Sequence, residues 1–73
     1  MKDFQAVLYV ELDGDYIAVD YKQLDTDALA EQYIVSKLGT VSDTMTIVLG
    51  KLYRQGFEGG ELAWVHTGDE YEF

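Results

Sequence analysis

The chain holds one histidine and no cysteine among 73 residues, so few side chains can act as a nucleophile or a near-neutral base. His66 is the one group whose ordinary pKa lies near neutrality. It follows Trp64 and Val65 in a strand-like run, where a lone histidine is more often packed or solvated than catalytic. Without cysteine there is no disulfide and no thiolate metal site. Thr26, Ser36 and the hydroxyls between Thr40 and Thr46 fall at expected helix ends, where they cap backbone N–H groups. A Ser-His-Asp set can be drawn, yet no nucleophile elbow supports it. Glu11, Asp13, Asp15 and Asp20 lack the alternating acids and terminal Glu of a calcium loop. Residues 56–60 are glycine-rich, but they lead from an expected helix into a strand and carry acid rather than lysine. A phosphate cradle needs the opposite order and charge. The residues point to a non-enzymatic protein with no cofactor and no metal.

What the chain has in excess is carboxylate. Fourteen Asp and Glu oppose five Lys and Arg, for a net charge of −9. They gather in three groups. Glu11, Asp13, Asp15 and Asp20 lie on a hairpin; Asp25, Asp27 and Glu31 open a helix; Glu58, Glu61, Asp69, Glu70 and Glu72 occupy a loop and the tail. One reading is a solvated face that serves solubility alone. The other is a binding determinant. Such a field repels nucleic acid and anionic membrane and attracts basic surfaces. Duplex DNA carries about one charge per 1.7 Å of axis, and carboxylates along a strand and a helix's first turn imitate that array. The candidate partner-binding residues are Glu11, Asp13, Asp15, Asp20, Asp25, Asp27 and Glu31, with Tyr9, Tyr16 and Tyr33 as aromatic anchors. The expected partner is a basic nucleic-acid-binding protein, met by a monomer rather than a dimer. An alternative is a small assembly or adaptor protein that self-associates through Tyr9, Tyr16 and Trp64.

The elements that must position these residues begin with Ala6 to Tyr21. Asp13-Gly14 between two apolar alternations is a strong hairpin signal. Pairing across it sets Val10 against Ile17, Leu8 against Val19 and Ala6 against Tyr21 on a core face. Glu11 with Tyr16, Tyr9 with Ala18 and Val7 with Asp20 then lie outside. The strands span Phe4 to Leu12 and Tyr16 to Tyr21. Asp25 or Thr26 caps a helix, Ala28 to Leu38, that buries Ala28, Leu29, Ile34, Val35 and Leu38 and stops at Gly39. The β-rich run Tyr33-Ile34-Val35 allows an earlier end near Gln32. Ser42 or Asp43 caps a second helix, Thr44 to Gln55, because Met45, Val48, Leu49, Leu52 and Tyr53 fall at helical spacing. A strand at Thr44 to Leu49 is its alternative, given Thr46-Ile47-Val48-Leu49 and the helix cost of Gly50. A last strand runs from Glu61 to Thr67, ended by Gly68-Asp69, with Leu62, Trp64 and His66 on one face.

The order ββααβ predicts an α+β fold: a three-stranded antiparallel sheet packed on two helices, the third strand beside the hairpin. At this length residues 1–73 form a single domain. No run is long enough for a membrane span, no targeting segment is evident, and a reducing cytoplasm is the expected compartment.

The layout of Asp13-Gly14-Asp15-Tyr16, Leu24-Asp25-Thr26-Asp27-Ala28, Glu31 with Tyr33, and Gly60-Glu61 before Trp64-Val65-His66 resembles small acidic phage anti-CRISPR proteins. The similarity is to the type I-F inhibitors that imitate DNA on the Cas8 subunit of Cascade. It covers most of the chain by element order. It implies a DNA mimic acting in the host bacterial cytoplasm, with Asp13, Asp25 and Glu31 at the family's mimicking carboxylates. One acid position of that family is Ala30 here.

Overall fold

The computed structural model describes residues 2–73. Five strands and one helix form in the order β1 (Phe4–Leu12), β2 (Asp15–Leu24), α1 (Asp27–Lys37), β3 (Val41–Ser42), β4 (Met45–Glu58) and β5 (Glu61–Glu72). All pair antiparallel in one sheet of order β2-β1-β4, with β3 and β5 both bonded to β4. The expected ββααβ arrangement, a three-stranded sheet on two helices, is therefore replaced by ββαβββ with a single helix. The second helix does not form. Its residues become β4, the longest strand, lying between β1 and β5. The strand from Glu61 pairs with β4 and not with the hairpin.

The first hairpin forms around Asp13-Gly14 as expected, both in left-handed backbone (φ 53° and 85°). That is the geometry a two-residue type I′ turn requires and the reason for glycine at its second place. Glu11 faces Tyr16, Val10 faces Ile17 and Tyr9 faces Ala18. The register then shifts: Leu8 faces Asp20, Val7 faces Tyr21 and Ala6 faces Lys22. Val19 is the extra residue of a bulge, and an extra residue reverses the faces beyond it. Asp20 thus turns toward the helix side and Tyr21 to the opposite side, the reverse of the unbulged expectation.

Thr26 caps α1, its Oγ1 accepting from the Leu29 N–H at 3.2 Å. The helix lies on one face of the sheet and buries Ala30 and Ile34, with Tyr33 and Leu38 partly covered. Leu29 and Val35, expected in the core, are exposed, and so is Ala28. Under the helix lie Ala6, Leu8, Val10, Ile47 and Leu52. Ile34 sits directly over Gly50, where a Cβ would overlap its Cγ2. Glycine in a strand often marks such an approach of another element. Ala30 has no exposed surface; an acid at this place would lose its hydration inside the core.

β5 does not stop at Gly68. Lys51 faces Glu70 and Tyr53 faces His66, so Leu52 alone opposes residues 67–69. The Thr67 hydroxyl donates to the Leu52 carbonyl at 3.0 Å and accepts from the Asp69 N–H at 3.2 Å, holding this wide bulge. Beyond it the strand resumes through Glu72.

Candidate partner-binding surface

The two sides of the sheet differ. α1 covers one. On the other, register places Tyr16 and Tyr21 of β2, Tyr9 of β1, Lys51 and Tyr53 of β4, and Trp64 and His66 of β5. Val7 and Leu49 lie beneath these side chains, nearly buried yet outside the cluster that packs on the helix. No element among the described residues crosses this face. Among the described residues it is covered by its own long side chains alone.

Tyr9, Tyr53, Lys51, Glu70 and His66 form a connected set. Tyr9 and Tyr53 share a hydrogen bond between their hydroxyls at 3.4 Å. The Lys51 ammonium lies 5.3 Å from the centre of the Tyr9 ring, within cation–π range. The same ammonium is 4.0 Å from the Glu70 carboxylate, which lies 3.9 Å from Nε2 of His66. The His66 and Tyr53 rings are 5.2 Å apart and tilted. Burial and the Tyr53 hydrogen bond push the Tyr9 hydroxyl far above the ordinary tyrosine pKa. His66 is thus one member of a surface network of rings and charges. The described residues enclose no pocket, and no group of three or more His, Asp or Glu among them is placed to hold a metal ion.

The candidate acids do not share a single surface. Asp13 and Asp15 are exposed at the hairpin tip and Glu11 stands just behind them on the ring-bearing face, opposite Tyr16. Asp25 and Asp27 follow the far end of β2, a strand of ten residues. At 3.2–3.4 Å per residue the two groups are separated by roughly 30 Å. Asp20 is set apart on the helix side, where its Oδ2 accepts a short hydrogen bond from the Tyr33 hydroxyl. Glu31 projects from the helix toward β5 and accepts from the Tyr71 hydroxyl at 3.3 Å. An array of carboxylates running along a strand into the helix's first turn is interrupted by the length of β2 and by the bulge that turns Asp20. Tyr33, expected as a partner anchor, is instead half-buried against Asp20 and the helix-side core.

Two more tyrosines record this acidity. Burial, then the hydrogen bond to Asp20 and its charge, push the Tyr33 hydroxyl up to about 12. Burial and the nearby Glu31 and Asp69 carboxylates raise that of Tyr71. Among the described residues, Asp25 with Lys2 and Glu70 with Lys51 and His66 are the carboxylates with a basic partner within 4.0 Å. No helix is long and apolar enough to cross a membrane among these residues.

Tyr21, Tyr53, Lys51 and Glu70 join this surface without being candidate site residues on sequence grounds. The helical spacing of its neighbours hides Tyr53, and the bulge at Val19 hides Tyr21. The signal that bears on them is the strand propensity of Thr46-Ile47-Val48-Leu49. Comparison with protein-family models, curated proteins and solved structures finds no match to this chain.

Proposed function

We propose that this chain is a non-catalytic acidic binding protein that occupies a Lys/Arg-rich nucleic-acid site on another protein. The observation that carries the reading is the excess of acid: a net charge of −9, with few carboxylates among the described residues having a basic neighbour within 4.0 Å. Unpaired charge of one sign steers an oppositely charged partner and raises its on-rate. Carboxylates at both ends of a body 38 Å long match about one turn of backbone charge on a duplex. A CRISPR effector subunit is the partner that the family resemblance suggests, and a host DNA-binding protein of another kind serves the same chemistry.

The test is competition. A purified DNA-binding partner recovered with the chain at low salt should lose its DNA when the chain is added, and the block should fade steeply with salt. Asp13→Lys with Asp15→Lys, or Asp25→Lys with Asp27→Lys, should weaken it at least tenfold while circular dichroism stays unchanged. Inhibition indifferent to both salt and charge reversal overturns the reading.

A second reading, a small phage assembly or adaptor protein that pairs with itself, is favoured by one observation. Tyr9, Tyr16 and Trp64 share the uncovered sheet face. Sedimentation showing a concentration-dependent dimer insensitive to salt would support it, and a monomer at every concentration would remove it.

A further inference from the structure

The uncovered face has the form of a stacking platform. Helix behind, rings in front, it matches the way sheet proteins stack unpaired bases on aromatic side chains. Its electrostatics are those of the opposite ligand. Glu11, Glu70 and Glu72 lie on the same face as the rings, and no Lys or Arg but Lys51 joins them there from β1, β4 or β5. A phosphate backbone brought to this sheet meets carboxylates on a chain of net charge −9. A second copy would bring the same acids against themselves, and like charges placed across an interface are costly.

A cationic chain suits both features. Guanidinium planes stack on tyrosine and tryptophan and fork onto carboxylates, which a compact ammonium does less well. Lys51 already shows that a cation rests on this surface: it lies over the Tyr9 ring while pairing with Glu70. We infer that the sheet face bearing Tyr16, Tyr21, Tyr9, Tyr53 and Trp64 is a docking site for an arginine-rich polypeptide segment. This deepens the reading above, on which it rests: arginine-rich segments are those that hold phosphates and stack on bases. The rings take the guanidinium planes and the flanking glutamates take their N–H groups. The acids of the hairpin tip and helix start act at a distance, by steering.

The full chain is titrated with nona-arginine and nona-lysine at low ionic strength, followed by Trp64 fluorescence and by backbone amide shifts. Nona-arginine should move Trp64 emission and shift amides of β1, β2, β4 and β5 around the rings. Nona-lysine, of equal charge, should bind about tenfold more weakly. Tyr21→Ser with Tyr16→Ser removes two rings that are more than half exposed and spares the core. This pair should lower nona-arginine affinity about tenfold, with the circular dichroism spectrum retained. If neither peptide binds, the acidic-binding reading falls together with this one. If the peptides bind but shifts are confined to α1 and the hairpin tip, the platform alone is overturned. Equal affinity of the two peptides, undiminished affinity of the serine variant, or a dimer that buries the rings would each overturn it as well.

Discussion

Gly50 shows how a single missing carbon can fix an arrangement. In a helix it costs stability by leaving the backbone free; in β4 it provides the floor on which Ile34 rests. Gly50→Ala should destabilise the protein by about 1–3 kcal/mol, the usual cost of overfilling a packed site. Ile34→Ala should cost about 2–5 kcal/mol through the cavity it leaves. In the double variant the new methyl group enters that cavity, so the two losses should combine to less than their sum in urea unfolding. Strict additivity would show that the helix is not seated on Gly50. Tyr33 carries a second residue-scale expectation. Its folded pKa, about 12, lies above the ordinary value of 10.0. A group raised in the folded state adds stability that is complete below pH 10 and lost as pH climbs toward 12. The Tyr33→Phe variant should therefore lose stability less steeply than the parent across that alkaline window, with the two curves parallel near neutrality. Ultraviolet titration of tyrosinate should show one late-ionising group fewer.

The elements were unevenly legible, and turns and burial explain why. β1, its turn and α1 could be read because their signals are local: Asp13-Gly14 for the hairpin, Thr26 for the cap, Gly39 for the stop. β4 could not be read from periodicity. A central strand with β1 on one side and β5 on the other buries residues of both faces, and Ile47, Leu49 and Leu52 are all inside. Alternation disappears in such strands. The bulge at Val48, where Tyr9 faces Leu49 but Val10 faces Ile47, then shifts the phase and imitates helical spacing. Gly68 misled for a similar reason, since it belongs to a bulge that β5 passes through. The turn that replaces the expected second helix start is Asp43-Thr44, where both residues have positive φ (51° and 68°). A left-handed residue with a Cβ costs roughly 1–2 kcal/mol, and a β-branched one is especially ill suited. Asparagine followed by glycine is the pair that such a turn favours. The double substitution Asp43→Asn with Thr44→Gly should therefore raise stability by about 1 kcal/mol. A fall in the urea midpoint would mean that residues 43–44 do not form this turn in solution.

At the scale of the whole molecule, salt distinguishes a fold strained by its charge from one held by it. The ion pairs among the described residues are few and long: 4.0 Å for Lys2–Asp25 and Lys51–Glu70, and 3.9 Å for His66–Glu70. Pairs on the surface contribute about 0–1 kcal/mol each. Against them stands the repulsion within a net charge of −9 on a body 38 × 24 × 19 Å. Most of these carboxylates lie within one or two Debye lengths of others at low salt, about 10 Å at 0.1 M. Repulsion therefore outweighs attraction, and screening should stabilise the fold. The thermal midpoint is expected to rise as sodium chloride increases from low to physiological strength. The complex with a basic partner should respond in the opposite direction, weakening over the same range because the attraction that steers it is screened. A partner held by the rings alone would weaken little, while the midpoint of the free protein would still rise. Measuring both quantities in one salt series separates the two contributions. A midpoint that falls with salt would mean that ion pairs hold the fold. The unpaired carboxylates would then be fewer in solution than the geometry places there.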